Sequence, residues 1–170
     1  MKTLLVLANP SQTSFSHQMM EAFCKNNPNQ TIEILDLYND KLQNFGEFDL
    51  EVQKYHQDKI TWAEQIVFFA PIWWGNFPAI LKNWIDVNFS SGFAYKYVDH
   101  KAVGLLKGKT AKIFVSCDGP ALIYWLLGIP AVWKFVVFGF SGINLSKVSI
   151  YGNKRHKTAE QNQKHLDSIK

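Results

Sequence analysis

The sequence predicts an α/β fold, a three-layer sandwich whose five-stranded parallel sheet, in order 2-1-3-4-5, carries helices on both faces. Three observations lead there. Short apolar runs at residues 3–8 and 66–70 read as strands covered on both sides. Segments with apolar residues at helical spacing alternate with the strands, as crossovers between parallel strands require. The 170 residues contain no repeat, no low-complexity tract and no linker rich in Pro, Gly or Ser, which predicts one domain over 1–170.

The elements follow in order. Thr3–Ala8 is the first strand, ended by Asn9-Pro10. Ser14 caps a helix to about Lys25, with Phe15, Met19, Ala22 and Phe23 on its apolar face. Residues 31–37 alternate as a second strand; 39–57 read as a polar loop with some helix, and 58–64 as helical. Ile66–Ala70 is the third strand, and a helix starts near Pro78, a residue favoured in a first turn, and runs to Phe89. Thr110–Ser116 is the fourth strand. A long apolar helix over 121–140, a fifth strand at 147–151 and a surface helix over 157–169 complete the chain.

Composition excludes several function classes. With 47% hydrophobic and 19% charged residues the chain is not disordered. Aromatics reach 15%, which suits either an aromatic core or flat surfaces for a planar ligand or a subunit interface. The net charge of +4 is scattered, its nearest approach to a cluster being Lys154-Arg155-His156-Lys157, so a nucleic-acid partner is not expected. Cys24 and Cys117 match no zinc or redox spacing, the five histidines are not grouped, and no metal site is expected. Reduced cysteines and an N-terminal apolar run too short for a signal peptide predict a cytoplasmic location. Residues 121–140 approach the length of a membrane span, but Gly128-Ile129-Pro130 and Lys134 interrupt them, so a buried helix with an intersubunit face is expected instead. Gly104–Thr110 resembles a P-loop with one residue missing and precedes a strand, where a phosphate-binding P-loop would follow one.

In a sheet of this order, ligands bind outside the carboxyl ends of the strands, at the switch point. That selects three loops. The first, Asn9 to Ser16, enters a helix N-terminus whose free N–H groups favour a phosphate, with Thr13 and Ser14 hydroxyls as further donors; an ordinary Ser14 cap is the plainer reading. The second, 70–78, carries Trp73 and Trp74, either a platform for a planar ring or a pair of core tryptophans. Backbone N–H groups of Ile72 to Trp74 are expected to meet the ring's polar edge. The third, Ser116-Cys117-Asp118-Gly119-Pro120, faces the other two.

These segments resemble the NAD(P)H:quinone oxidoreductase (DT-diaphorase-like) family of flavodoxin-like flavoproteins. Asn9 to Phe15 is similar to its phosphate loop, Pro71-Ile72-x-Trp74 with Phe77 to Trp84 to its flavin loop, and Gly92 to Tyr97 to a substrate-pocket segment contributed across a dimer. The resemblance implies FMN, with FAD the alternative, NAD(P)H as co-substrate, a quinone or similar planar acceptor, ping-pong chemistry and a homodimer. It places Asn9, Thr13, Ser14 and Phe15 at the flavin phosphate end. It places Pro71, Ile72, Trp73, Trp74 and the loop Ser116, Cys117, Asp118, Gly119 at the ring, Trp74, Tyr95 and Tyr97 at the substrate, and Tyr124 in a catalytic position. Three departures stand out: Asn9 replaces a frequent histidine, Cys117 and Asp118 replace a Thr- and Gly-rich loop, and Pro130 replaces a histidine that partners the tyrosine in some members. The same resemblance allows a regulatory subunit of a potassium efflux system, docked on a membrane protein.

Overall fold

The computed structural model describes residues 1–170. Strands β1 (Lys2–Leu7), β2 (Thr31–Asp36) and β3 (Gln65–Pro71) precede a short antiparallel pair, β4 (Tyr95–Val98) and β5 (Lys101–Gly104), and then β6 (Thr110–Ser116) and β7 (Asn144–Tyr151). Five of these form one parallel sheet, β2-β1-β3-β6-β7, which is the predicted order once the inserted pair is set aside.

The helices are α1 (Phe15–Asn26), α2 (Leu50–Trp62), α3 (Ala79–Asn88), α4 (Ala121–Leu126), α5 (Ile129–Ala131), α6 (Gly139–Ser141) and α7 (Ala159–Asp167), with a π-helical segment at Val132–Phe138. Alternation along β1 divides the core in two. Leu5 and Leu7 join Phe23, Phe69 and Phe114 beneath α1 and α7. Leu4 and Val6 face the other layer, with Phe68, Trp84, Trp133 and Phe138. Both sets of β1 side chains are buried, which is why the strand reads as an unbroken apolar run.

Four expectations are corrected. Helix α2 starts at Leu50, where Asp49 accepts the N–H groups of Glu51 and Val52. Its buried face is Val52, His56 and Ile60, and the polar histidine masks the stripe in the sequence. Segment 121–140 is not one buried helix: Gly128 takes a left-handed φ of 72° and breaks it. Beyond the break Trp133 and Phe138 are buried, whereas Phe135 and Val136, and Leu126 before it, stand exposed. No helix is long and apolar enough to cross a membrane. The pair β4–β5 was not anticipated; Asp99 and His100 both adopt positive φ in its two-residue turn, without the glycine that usually signals it. Finally, β7 begins at Asn144, and a register shift opposite Ala111/Lys112 leaves Ser146 without a partner in the ladder.

Candidate active site at the carboxyl end of the sheet

Parallel register brings the three loops together. Pro71 pairs with Ser116, Leu7 with Phe69, and the Ala8 N–H donates to the Phe69 carbonyl at 2.9 Å. The chain therefore leaves β1, β3 and β6 from neighbouring rungs, about 5 Å apart from strand to strand.

In the first loop, Asn9 works from within. Its Oδ1 accepts the Ser11 N–H at 3.0 Å and its Nδ2 lies 3.4 Å from the Ser16 Oγ. Ser14 caps α1: its Oγ accepts the His17 N–H at 3.3 Å and lies 3.0 Å from His17 Nδ1. His17 is buried, with Nε2 3.9 Å from the Asp36 carboxylate. The N–H groups of Thr13, Phe15 and Ser16 have no acceptor within the chain. The Phe15 ring turns away into the core and stacks on Tyr151 at 5.1 Å, so only its backbone faces the loop.

The second loop departs from expectation. The Ile72 N–H continues the ladder to the Ser116 carbonyl at 2.8 Å, and the Trp73 N–H bonds the Asn76 carbonyl at 3.0 Å. Neither is free for a ligand, because the strand pairing persists one residue past β3 and a tight turn follows; Trp74 and Gly75 retain free N–H groups at its tip. Trp74 holds a left-handed φ of 50° and its side chain is fully exposed, while Trp73 is 44% exposed. The core-tryptophan alternative is thereby excluded. Pro71 is half-buried and the Ile72 side chain lies in the core.

Asn76 fixes this turn, a role not anticipated from the sequence. Its Oδ1 accepts the Phe77 N–H at 2.8 Å and the Trp133 Nε1–H at 3.1 Å. Phe77 and Trp133 stack at 4.3 Å with planes 8° apart. A carboxamide in the Gly75-Asn76-Phe77 turn was the available signal, but its partner is 57 residues away.

In the third loop, the Cys117 N–H bonds the Tyr151 carbonyl at 3.0 Å, and its thiol lies 3.3 Å from the Gly119 carbonyl. Asp118 pairs with Arg155 at 2.7 Å. The N–H groups of Asp118 and Gly119 are free. Tyr124, half-buried on α4, places its phenol oxygen beside Gly119 and near Cys117. Burial raises the pKa of both the phenol and the Cys117 thiol, so both stay protonated at neutral pH.

Tyr95 and Tyr97 are not brought to these loops within one chain. Tyr95 packs at 4.8 Å against Phe140. It lines concavities of about 330 and 370 Å³ with Phe45 and Phe89, and neither concavity includes a residue of the three loops. No group of three or more His, Cys, Asp or Glu is arranged to hold a metal.

Comparison with known proteins agrees with this fold. A protein named FMN-dependent NADH:quinone oxidoreductase from Caldicellulosiruptor bescii is 34% identical over 137 residues, covering 69% of this chain and 68% of its own. One of the same name from Clostridium beijerinckii is 28% identical over 185 residues, covering 94% and 93%. The crystal structure of Smu.1420 from Streptococcus mutans superposes with a TM-score of 0.82 at 28% identity, covering 99% of this chain and 96% of that one. The model of the family described as having a flavodoxin-like fold matches residues 1–170, and this chain belongs to that family.

Proposed function

We propose that the protein is a flavin-dependent NAD(P)H oxidoreductase that holds FMN across the three loops and reduces a quinone or a similar planar acceptor. One observation carries the reading. Free N–H groups at Thr13, Phe15 and Ser16, at Trp74 and Gly75, and at Asp118 and Gly119 sit on adjacent strand ends beside an exposed tryptophan. Unpaired donors at a helix start suit an anionic phosphate, donors on the two other loops suit the carbonyls of a flat heterocycle, and Trp74 offers it a face. Two relatives are named for FMN, NADH and quinone, which supports the reading.

Bound flavin supplies two-electron redox chemistry, and the chain's work is to bind, orient and tune it. Thr13 and the start of α1 hold the phosphate end. Ser14 shapes that turn, with its Oγ already engaged by His17. Trp74, with the third loop, positions the ring. Tyr124, a protonated phenol whose pKa burial raises further, would donate a hydrogen bond to the ring's edge. Tyr95 and Tyr97 reach a substrate only from a second copy, so the reading includes a homodimer. The bare apolar side of 121–140 (Leu126, Phe135, Val136) supplies a surface for it. Cys24 and Cys117 are free thiols, in keeping with a cytoplasmic setting.

The absorption spectrum of the purified protein tests this. Yellow protein whose flavin band is bleached by NADH or NADPH and restored by menadione is the expected result. Bound flavin that neither nucleotide bleaches would point to an electron carrier. Colourless protein that refuses FMN would overturn the enzymatic reading in favour of the regulatory subunit of a potassium efflux system, an activity for which neither named relative speaks.

A further inference from the structure

The basic run Lys154-Arg155-His156-Lys157 is the sequence's nearest approach to a charge cluster, and nothing in the function above uses it. We infer that Lys154 is the cation of the phosphate site, reaching the start of α1 from beyond the third loop to pair with the phosphate monoester of FMN. This rests on the flavin reading.

The run lies at the carboxyl end of the sheet, just past β7. Asn153, at a left-handed φ of 55°, turns the chain back toward the site. Two backbone bonds fasten the turn to the third loop: the Asn153 N–H to the Gly119 carbonyl at 2.9 Å, and the Lys154 N–H to the Cys117 carbonyl at 3.0 Å. From there the Lys154 ammonium extends over the ring of Phe15, 4.7 Å from its centroid. Phe15 is the first residue of α1 and carries one of the free N–H groups. Lys154 thus bonds the third loop through its backbone and lies over the core-packed ring of Phe15, whose backbone ends the first loop.

Its charge is also uncommitted. Arg155 is paired with Asp118, whereas Lys154, like Lys157 near the Tyr151 ring, has no carboxylate within 4.0 Å and no hydrogen-bond acceptor; of the two, only Lys154 lies over a residue of the first loop. The first loop, meanwhile, contains no lysine or arginine from Asn9 to Gln18, and Asn9 cannot carry charge. His17 faces Asp36, across its ring from Ser14. A helix terminus contributes only about half a charge, short of what a phosphate dianion demands. An ammonium on a flexible stem, parked on an aromatic face beside that terminus, supplies the remainder.

The test is a flavin titration followed by fluorescence quenching, on the full chain freed of flavin. FMN and riboflavin are compared for the parent protein, Lys154→Gln, Lys154→Arg and Lys54→Gln. The last removes the same charge from α2, outside the site. The expected result is roughly tenfold weaker FMN binding for Lys154→Gln, with near-parent affinity for Lys154→Arg and Lys54→Gln. FMN affinity of the parent should also fall with added salt more steeply than that of Lys154→Gln. Unchanged FMN binding in Lys154→Gln, an equal loss in Lys54→Gln, or an equal loss for riboflavin would each overturn the assignment while the flavin reading stands. A parent protein that binds neither flavin overturns both.

Discussion

Replacing Asn76 by alanine tests how the ring-facing turn is held. The side chain accepts two hydrogen bonds, from the Phe77 N–H and the Trp133 indole. Trp133 is only 1% exposed, so its N–H cannot turn to water when the acceptor goes. An unsatisfied buried donor costs about 1–3 kcal/mol, and the lost Phe77 bond adds about 0.5–1.5 kcal/mol. A total near 2–3 kcal/mol lowers the thermal midpoint of a 170-residue domain by roughly 5–10 °C. Asn76→Asp keeps an oxygen acceptor and should recover most of the loss. Urea unfolding of Asn76→Ala, Trp133→Phe and the double variant isolates the pairwise coupling, expected at about 1 kcal/mol or more. A loss below about 0.5 kcal/mol for Asn76→Ala, or additive effects in the double variant, would refute the anchoring role.

Other expectations follow from the same geometry. Trp74→Asn places a residue that tolerates positive φ where the tryptophan is strained and fully exposed, so thermal stability should hold or rise. The same change should weaken FMN binding by about tenfold, a loss on the scale of one aromatic stacking contact and larger than that for Tyr124→Phe. A drop in stability with unchanged flavin affinity would reverse the assignment. Gly152→Ala sets a methyl group 2.8 Å from the Gly119 carbonyl and against the Ala121 N–H, neither of which can give way. It should cost about 1–3 kcal/mol and show as a lowered urea midpoint.

Burial depresses the pKa of His56 and His165 below the ordinary 6.5. Both bind protons less readily when folded, so their stability contribution is complete above about pH 6.5 and is lost as pH falls through the folded values. His56→Gln should flatten the acid limb of urea midpoint against pH; an unchanged limb contradicts the assignment.

The layered fold was legible because its signals are local. The runs at 3–8 and 66–70 owe their continuity to burial on both faces, and the order of elements fixes the crossovers. Less legible were features that depend on distant partners. His56 hides the α2 stripe because the carbonyl of Lys41, 2.8 Å from its Nε2, lets a polar ring stay inside. The apolar segment 121–140 reads as a helix, yet Gly128 breaks it and only one side finds the sheet. At the site, the three loops could be read from strand ends, while the two tryptophans of the second fitted a platform or a core pair until the fold exposed Trp74. The commitment of the Ile72 and Trp73 N–H groups, the Asn76–Trp133 bond and the reach of Lys154 could not, since each is set by tertiary contact.

Hydrogen–deuterium exchange with and without saturating FMN reports most directly on whether one ligand spans all three strand ends. Slowed exchange at Thr13–Ser16, at Trp74–Gly75 and at Asp118–Gly119 in the same titration is the predicted result. Protection of only one of these loops, or protection confined to the concavities around Tyr95, would contradict it.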